Sequence, residues 1–215
     1  MVSDFLKEAP KWLAPIAVMY DYQLDKCGIN AKGAMWRSKD RQQMRFELLT
    51  KLIVPEDLNG GISINDLGCG YGALFEYLRD DPVMQDSQFY GYDISEKMIE
   101  ACESRIQDSR AQFYQSLVAL VPADYSFACG PFNFIMEVDQ KLWLKYVQES
   151  LKDLWSKSLK GLAFNMLNVN YHRQQEGLYY ADSGDFETFC KNELSENVTL
   201  MTDYDDEEWT IFIRR

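Results

Sequence analysis

Between Asp66 and Gly72 the chain reads Asp-Leu-Gly-Cys-Gly-Tyr-Gly, and 21 residues further on Phe89-Tyr90-Gly91-Tyr92 ends in a second acid, Asp93. Glycines at alternate positions let the backbone turn sharply and let a ligand lie against it. Ile62–Leu67 is apolar enough to be the strand that feeds this turn, and Ala73–Leu78 has the pattern of a helix that leaves it. An acid at the end of the next strand stands where a crossover unit puts a carboxylate against a ribose. Strand, glycine loop, helix, strand and terminal acid in one register therefore point to a nucleoside-bearing ligand. The single histidine, His172, follows a later apolar run together with Tyr171. An imidazole is the side chain best suited to take a proton near neutral pH. His172 is thus either a general base or an exposed loop histidine.

The elements that must position these groups alternate along the chain. Residues 3–25 carry aromatic and aliphatic side chains that suit one or two short helices, and residues 39–54 form a helix with Met44, Leu48, Leu49, Leu52 and Ile53 on one face. Strands are expected at 62–67, 88–93, 112–118, 124–129 and 161–167. Helices are expected at 72–80, 95–107, 139–157 and 183–192, with an irregular stretch between 167 and about 181. Such alternation means a mostly parallel sheet with helices on both faces. The end differs: 197–202 and 208–213 are strands joined by only Asp203–Glu207, a connection too short for anything but an antiparallel hairpin.

Composition sets the class. The chain has 215 residues, 47% of them hydrophobic, which is ample for one core with a cap. No stretch approaches the ~20 apolar residues of a membrane span, and the first residues lack the apolar run of a secretion signal. The expectation is a soluble, cytoplasmic protein. With 34 acids against 22 bases the net charge is −12, which disfavours a nucleic-acid partner and suits a neutral or cationic small molecule. The five cysteines include no Cys-x-x-Cys pair, so reduced thiols are expected rather than a disulfide frame or a metal site.

The full match of Asp66-Leu67-Gly68-Cys69-Gly70-Tyr71-Gly72 to (D/E)-x-G-x-G-x-G, the acid Asp93 and the terminal hairpin resemble the class I S-adenosylmethionine-dependent methyltransferases, and the segments Phe127–Asn133 and Tyr179–Asp182 resemble a small stand-alone bacterial group of them. The resemblance implies an α/β, Rossmann-like, seven-stranded sheet over residues 59–215, and the N-terminal residues 1–58 are expected to form a helical cap over it. S-adenosylmethionine would be the cofactor and S-adenosylhomocysteine the product. It also implies that Asp66, Gly68, Cys69, Gly70 and Gly72 lie along the cofactor and that Asp93 takes its ribose, a simple helix cap being the other reading of that acid. Ile94 would pack on the adenine, and Met98 would also border the cofactor. The family often has an acid after the third strand; here only Gln115, Ser116 or neither can meet the adenine amine. Cys129 ends the fourth strand beside the site.

The remaining candidates belong to the cap and the acceptor side. Arg45, with Trp36 nearby, either closes on the cofactor's carboxylate, which a guanidinium matches in two places, or lies on a solvated helix face. Tyr20, Phe132, Asn133, Tyr179 and Tyr180 are candidates for acceptor binding, with Phe132 equally suited to the core; Tyr171 stands with His172 as a catalytic candidate. The leading reading is methyl transfer to an oxygen or nitrogen of a small molecule. The rivals are methylation of protein or RNA, a nicotinamide-dependent oxidoreductase, and a non-catalytic cofactor-binding subunit.

Overall fold

The computed structural model describes residues 2–215. Three helices come first: α1 (Asp4–Glu8), α2 (Pro10–Cys27) and α3 (Lys39–Thr50). Then follow β1 (Ser63–Leu67), α4 (Ala73–Leu78), β2 (Gln88–Asp93), α5 (Glu96–Arg105), β3 (Ala111–Gln115) and β4 (Ala123–Cys129). The chain ends with α6 (Gln140–Ser156), β5 (Ser158–Asn168), the two-residue β6 (Tyr180–Ala181), α7 (Ser183–Glu193), β7 (Val198–Met201) and β8 (Glu208–Arg214).

The strands lie in the order β3-β2-β1-β4-β5-β8-β7, with β6 paired to the end of β5. Pairings from β3 to β5 are parallel, whereas β8 runs antiparallel to both β5 and β7. The α/β, Rossmann-like sheet with its C-terminal hairpin is thus as expected. The extra strand is β6, whose two residues are too few to leave a period-two pattern in the sequence. The third strand stops at Gln115 rather than 118, because Ser116 Oγ accepts from Val118 N–H at 3.2 Å and turns the chain. The third helix stops at Thr50 rather than 54, yet Leu52 and Ile53 still reach the core.

Successive strand residues feed opposite faces, as the pleat requires. On one face Phe164, Trp209, Phe132 and Trp143 pack with α1, α6 and α7; on the other Phe127, Phe89, Phe75 and Leu49 pack with α3 and α4. α6 shows the sequence logic plainly, since Trp143, Val147, Leu151 and Leu154 recur at helical spacing and are all buried. The neighbour order reverses at β1, which has β2 on one side and β4 on the other. Ligands bind outside the carboxyl ends of strands at such a switch point. Here those ends are Leu67, Asp93 and Cys129.

Candidate active site

A cavity of about 320 Å³ opens at this switch point. Its floor is the turn after β1. Gly68, Gly70 and Gly72 have φ of +77°, +54° and +81°, a region that side-chain-bearing residues rarely enter. The three glycines do different work. A Cβ on Gly68 would stand 2.5 Å from Pro131 Cβ, and one on Gly72 2.5 Å from Ile106 Cδ1, so both permit close packing. At Gly70 the nearest atom would be Ala34 Cβ at 3.9 Å, which leaves room for a ligand against the backbone.

Asp93 ends β2 over this turn. Its Oδ2 accepts from Gly70 N–H and its Oδ1 from Ser95 N–H, each at 2.9 Å. Burial pushes its carboxyl up to about 6, against three backbone N–H groups that pull it down. Asp66 is 2% exposed and has no hydrogen-bond partner among the described residues. Burial, and then the charge of Asp93, push its carboxyl up to about 8. Two buried acids on one cavity wall call for a ligand with cationic groups or several donors.

A stability effect follows. Between pH 4 and 8 folded Asp66 keeps a proton that the unfolded chain has lost, so stability of the ligand-free protein falls as pH rises through that window. Urea unfolding should show Asp66→Asn to be less destabilised than wild type by about 2 kcal/mol between pH 6 and 8, one proton's full slope. An identical slope in the two proteins would contradict the placement of Asp66.

The roof is the N-terminal segment. Leu13, Ile16 and Tyr20 of α2 reach the cavity, and α2 is fastened to the start of α5 by Ser95 Oγ donating to Asp21 and by the Lys97–Asp25 ion pair. The loop from 28 to 38 adds Ala34, Met35 and Trp36, with Met35 held at φ +62°. Arg45 lies 4.5 Å from the Trp36 ring and pairs through Nε with the buried Glu208. It is therefore not on a solvated helix face. Among the described residues nothing bonds its terminal nitrogens, and it lines the cavity. Burial pushes the Glu208 carboxyl up, with Arg45 opposing.

The cavity thus gathers most of the expected residues: Asp66, Gly68, Cys69, Gly70, Asp93, Ile94, Met98, Ser116, Cys129, Trp36, Arg45, Tyr20, Phe132 and Asn133. Others fall outside it. Gly72 begins α4 and serves packing. Gln115 is exposed and donates to Ile94 C=O at 3.3 Å, which leaves the neighbouring Ser116 on the cavity wall. His172 is exposed and Tyr171 half-buried, their rings 5.2 Å apart, because turns around Asn168 carry the chain away from the sheet. Tyr179 and Tyr180 line a separate shallow depression with Gln140 and Asp185. The same loop returns to the cavity only at Gln175, Glu176 and Leu178, where Gly177 C=O accepts from Ile135 and Met136 at 3.0 Å.

Sequence reasoning missed Arg37, Arg41, Gln42, Tyr71, Glu176 and Glu207. Glu207 is buried, accepts from Arg37 at 2.7 Å and lies 3.1 Å from Arg41, while Arg41 also meets Asp205 at 2.7 Å. The only signal for these acids was the run Asp203–Glu208, which also reads as an ordinary polar turn.

Comparison with known proteins agrees with the geometry. A family model described as a methyltransferase domain matches residues 64–157. Rv1506c of Mycobacterium tuberculosis, which is named as a methyltransferase, is 35% identical over 156 residues, covering 71% of this chain and 93% of its own length. The chain belongs to the class I S-adenosylmethionine-dependent methyltransferases. Two solved structures share the fold. Magnesium protoporphyrin IX methyltransferase from Synechocystis, with S-adenosylmethionine bound, has a TM-score of 0.62 at 14% identity and covers 99% of this chain and 98% of its own. The DhpI complex with S-adenosylhomocysteine has a TM-score of 0.65 at 11% identity, covering 94% and 96%.

The cofactor of this methyltransferase is S-adenosylmethionine, and the cavity fits it. Unpartnered Asp66 suits a cationic group, Asp93 a diol, the terminal nitrogens of Arg45 a carboxylate, and the open face of Gly70 a close-lying chain. Among the described residues no group of three or more metal-ligating side chains gathers, and no helix is long and apolar enough to cross a membrane.

Proposed function

We propose that this methyltransferase works in the cytoplasm on a small molecule and methylates an oxygen or nitrogen. One observation supports this above the rest. The chain's own helix α2 and the loop from 28 to 38 roof the cavity, and Tyr20, Phe132, Phe134 and Trp143 line it. A polymer would have to reach past that roof, and a net charge of −12 opposes a polyanion.

When bound, the cofactor supplies a methyl group on a sulfonium, already activated for displacement. The protein's share is alignment, exclusion of water and removal of a proton. In this reading Asp93 holds the ribose hydroxyls, Asp66 the cationic side, Arg45 the carboxylate, and Ile94, Met98 and Ser116 the base. Residues 1–58 act as the cap and 59–215 as the catalytic core.

Glu176 takes the acceptor's proton. Of the titratable groups on the cavity wall, Glu207 is engaged by two arginines, and burial pushes the Tyr20 phenol and Cys129 thiol up, which unfits them as bases. Glu176 is an exposed carboxylate at the cavity's edge, with no ion pair among the described residues. His172, outside the cavity, takes no part.

The test is transfer from methyl-labelled S-adenosylmethionine into a fractionated cell extract. Label should enter the low-mass fraction; label confined to RNA or protein would overturn the reading. With the acceptor in hand, Glu176→Gln should lower turnover by about 100-fold or more with cofactor affinity unchanged. His172→Asn should match wild type.

A further inference from the structure

We propose that Cys69 and Cys102 are a redox-sensitive pair whose disulfide closes the cofactor site. The idea rests on the assignment of the cavity to S-adenosylmethionine. Cys69 lies in the glycine loop on the cavity wall, and Cys102 lies on α5 behind it. Both thiols donate to one acceptor, the Gly70 carbonyl, at 3.6 Å and 3.2 Å. They share a small buried cluster with Ile99, against which Phe113 packs.

Gly70 is the residue whose N–H holds Asp93. A Cys69–Cys102 bond would remove both donors from the Gly70 carbonyl and draw the loop toward α5. A part-buried carbonyl left without donors costs free energy, which favours movement of the loop. Gly91 shows how little slack exists, since a Cβ there would lie 2.9 Å from Cys69 Sγ and 2.6 Å from Phe113 Cδ1. Movement of Gly70 moves the N–H that orients Asp93.

The route for an oxidant is the cavity itself. Burial pushes the Cys69 thiol well up, so reaction is slow even in the ligand-free protein. With the cavity open, a small peroxide reaches Cys69 Sγ. The thiol attacks the O–O bond, giving a sulfenic acid and one water. Cys102 Sγ then displaces the second oxygen as water, and the S–S bond forms. Two thiols lose two electrons and two protons, and hydrogen peroxide takes both. Bound cofactor covers Cys69 and protects it.

The experiment treats the protein with hydrogen peroxide, with and without S-adenosylhomocysteine, followed by non-reducing peptide mass mapping and calorimetry. Ligand-free protein should acquire the Cys69–Cys102 cross-link and lose affinity for S-adenosylhomocysteine at least tenfold. Dithiothreitol should restore it, and prior loading should prevent it. Cys102→Ala should bind S-adenosylhomocysteine before and after treatment alike. The wild-type peptide map decides the matter even if that variant folds poorly. Oxidation confined to Cys27, or a cross-link with unchanged affinity, would overturn the inference. Untreated protein that binds no S-adenosylhomocysteine would sink the site assignment as well.

Discussion

Asp93→Asn should weaken binding of S-adenosylhomocysteine by about 100-fold while leaving the fold intact. Each oxygen of Asp93 already accepts one backbone N–H, from Gly70 and from Ser95, at 2.9 Å. A second lone pair on each remains for the cavity. Two hydroxyls then meet two ionised acceptors, and hydrogen bonds to a charged group contribute about 1.5–3 kcal/mol each. The amide keeps one acceptor and turns an N–H₂ toward a backbone N–H that it cannot satisfy. Loss of about 3 kcal/mol is about 100-fold in affinity. Stability should move much less, because burial already disfavours the charge and holds the carboxyl at about 6. Calorimetry with a parallel thermal melt checks both parts. A variant that binds as tightly as wild type would mean that Asp93 only caps α5.

Arg45→Ala should destabilise the protein by about 3–5 kcal/mol, the usual result of stranding one member of a buried ion pair. Glu208 is fully buried, and besides Arg45 only Asn165 Nδ2 among the described residues reaches it, at 3.0 Å. Without the guanidinium, its charge has no counterpart at the base of β8. The double variant Arg45→Met with Glu208→Leu removes both charges at similar volume and should recover most of that stability. Binding should separate the two roles of Arg45. The double variant, although folded, should bind S-adenosylhomocysteine at least tenfold more weakly, since the guanidinium assigned to the ligand's carboxylate is then gone. Full affinity in the folded double variant would reduce Arg45 to a structural role. Denaturant melts and calorimetry on the two proteins give both numbers.

The legibility of the fold follows from which signals are local. Periodicity of two and of 3.6, with glycine, proline and capping residues between, is written into short windows. Almost every element from β1 to α7 was therefore readable within a few residues of its true bounds. β6 was not, because two residues carry no period. At the site, a loop that binds through its own backbone leaves a motif, and Asp66, Gly68, Gly70 and Asp93 were legible for that reason. Arg45 was legible in type, but its pairing with Glu208, 163 positions later, was not; only the hairpin's return beside α3 brings the two together. His172 shows the opposite failure. Asn168 and Gly177 announce turns in the loop after β5, but not which of its residues those turns bring to the cavity. Glu176, four residues on, is exposed like His172 but stands at the edge of the cavity.

In the proposed function the cavity at the β1–β4 switch point holds S-adenosylmethionine between Asp93, the Gly70 turn and Arg45. A crystal structure of the protein grown with S-adenosylhomocysteine tests it most directly. The predicted result is density with both ribose hydroxyls within hydrogen-bond distance of the Asp93 carboxylate and the amino-acid end reaching Arg45. Nucleoside density elsewhere, or a cavity filled by the protein's own side chains in the presence of saturating ligand, would contradict it.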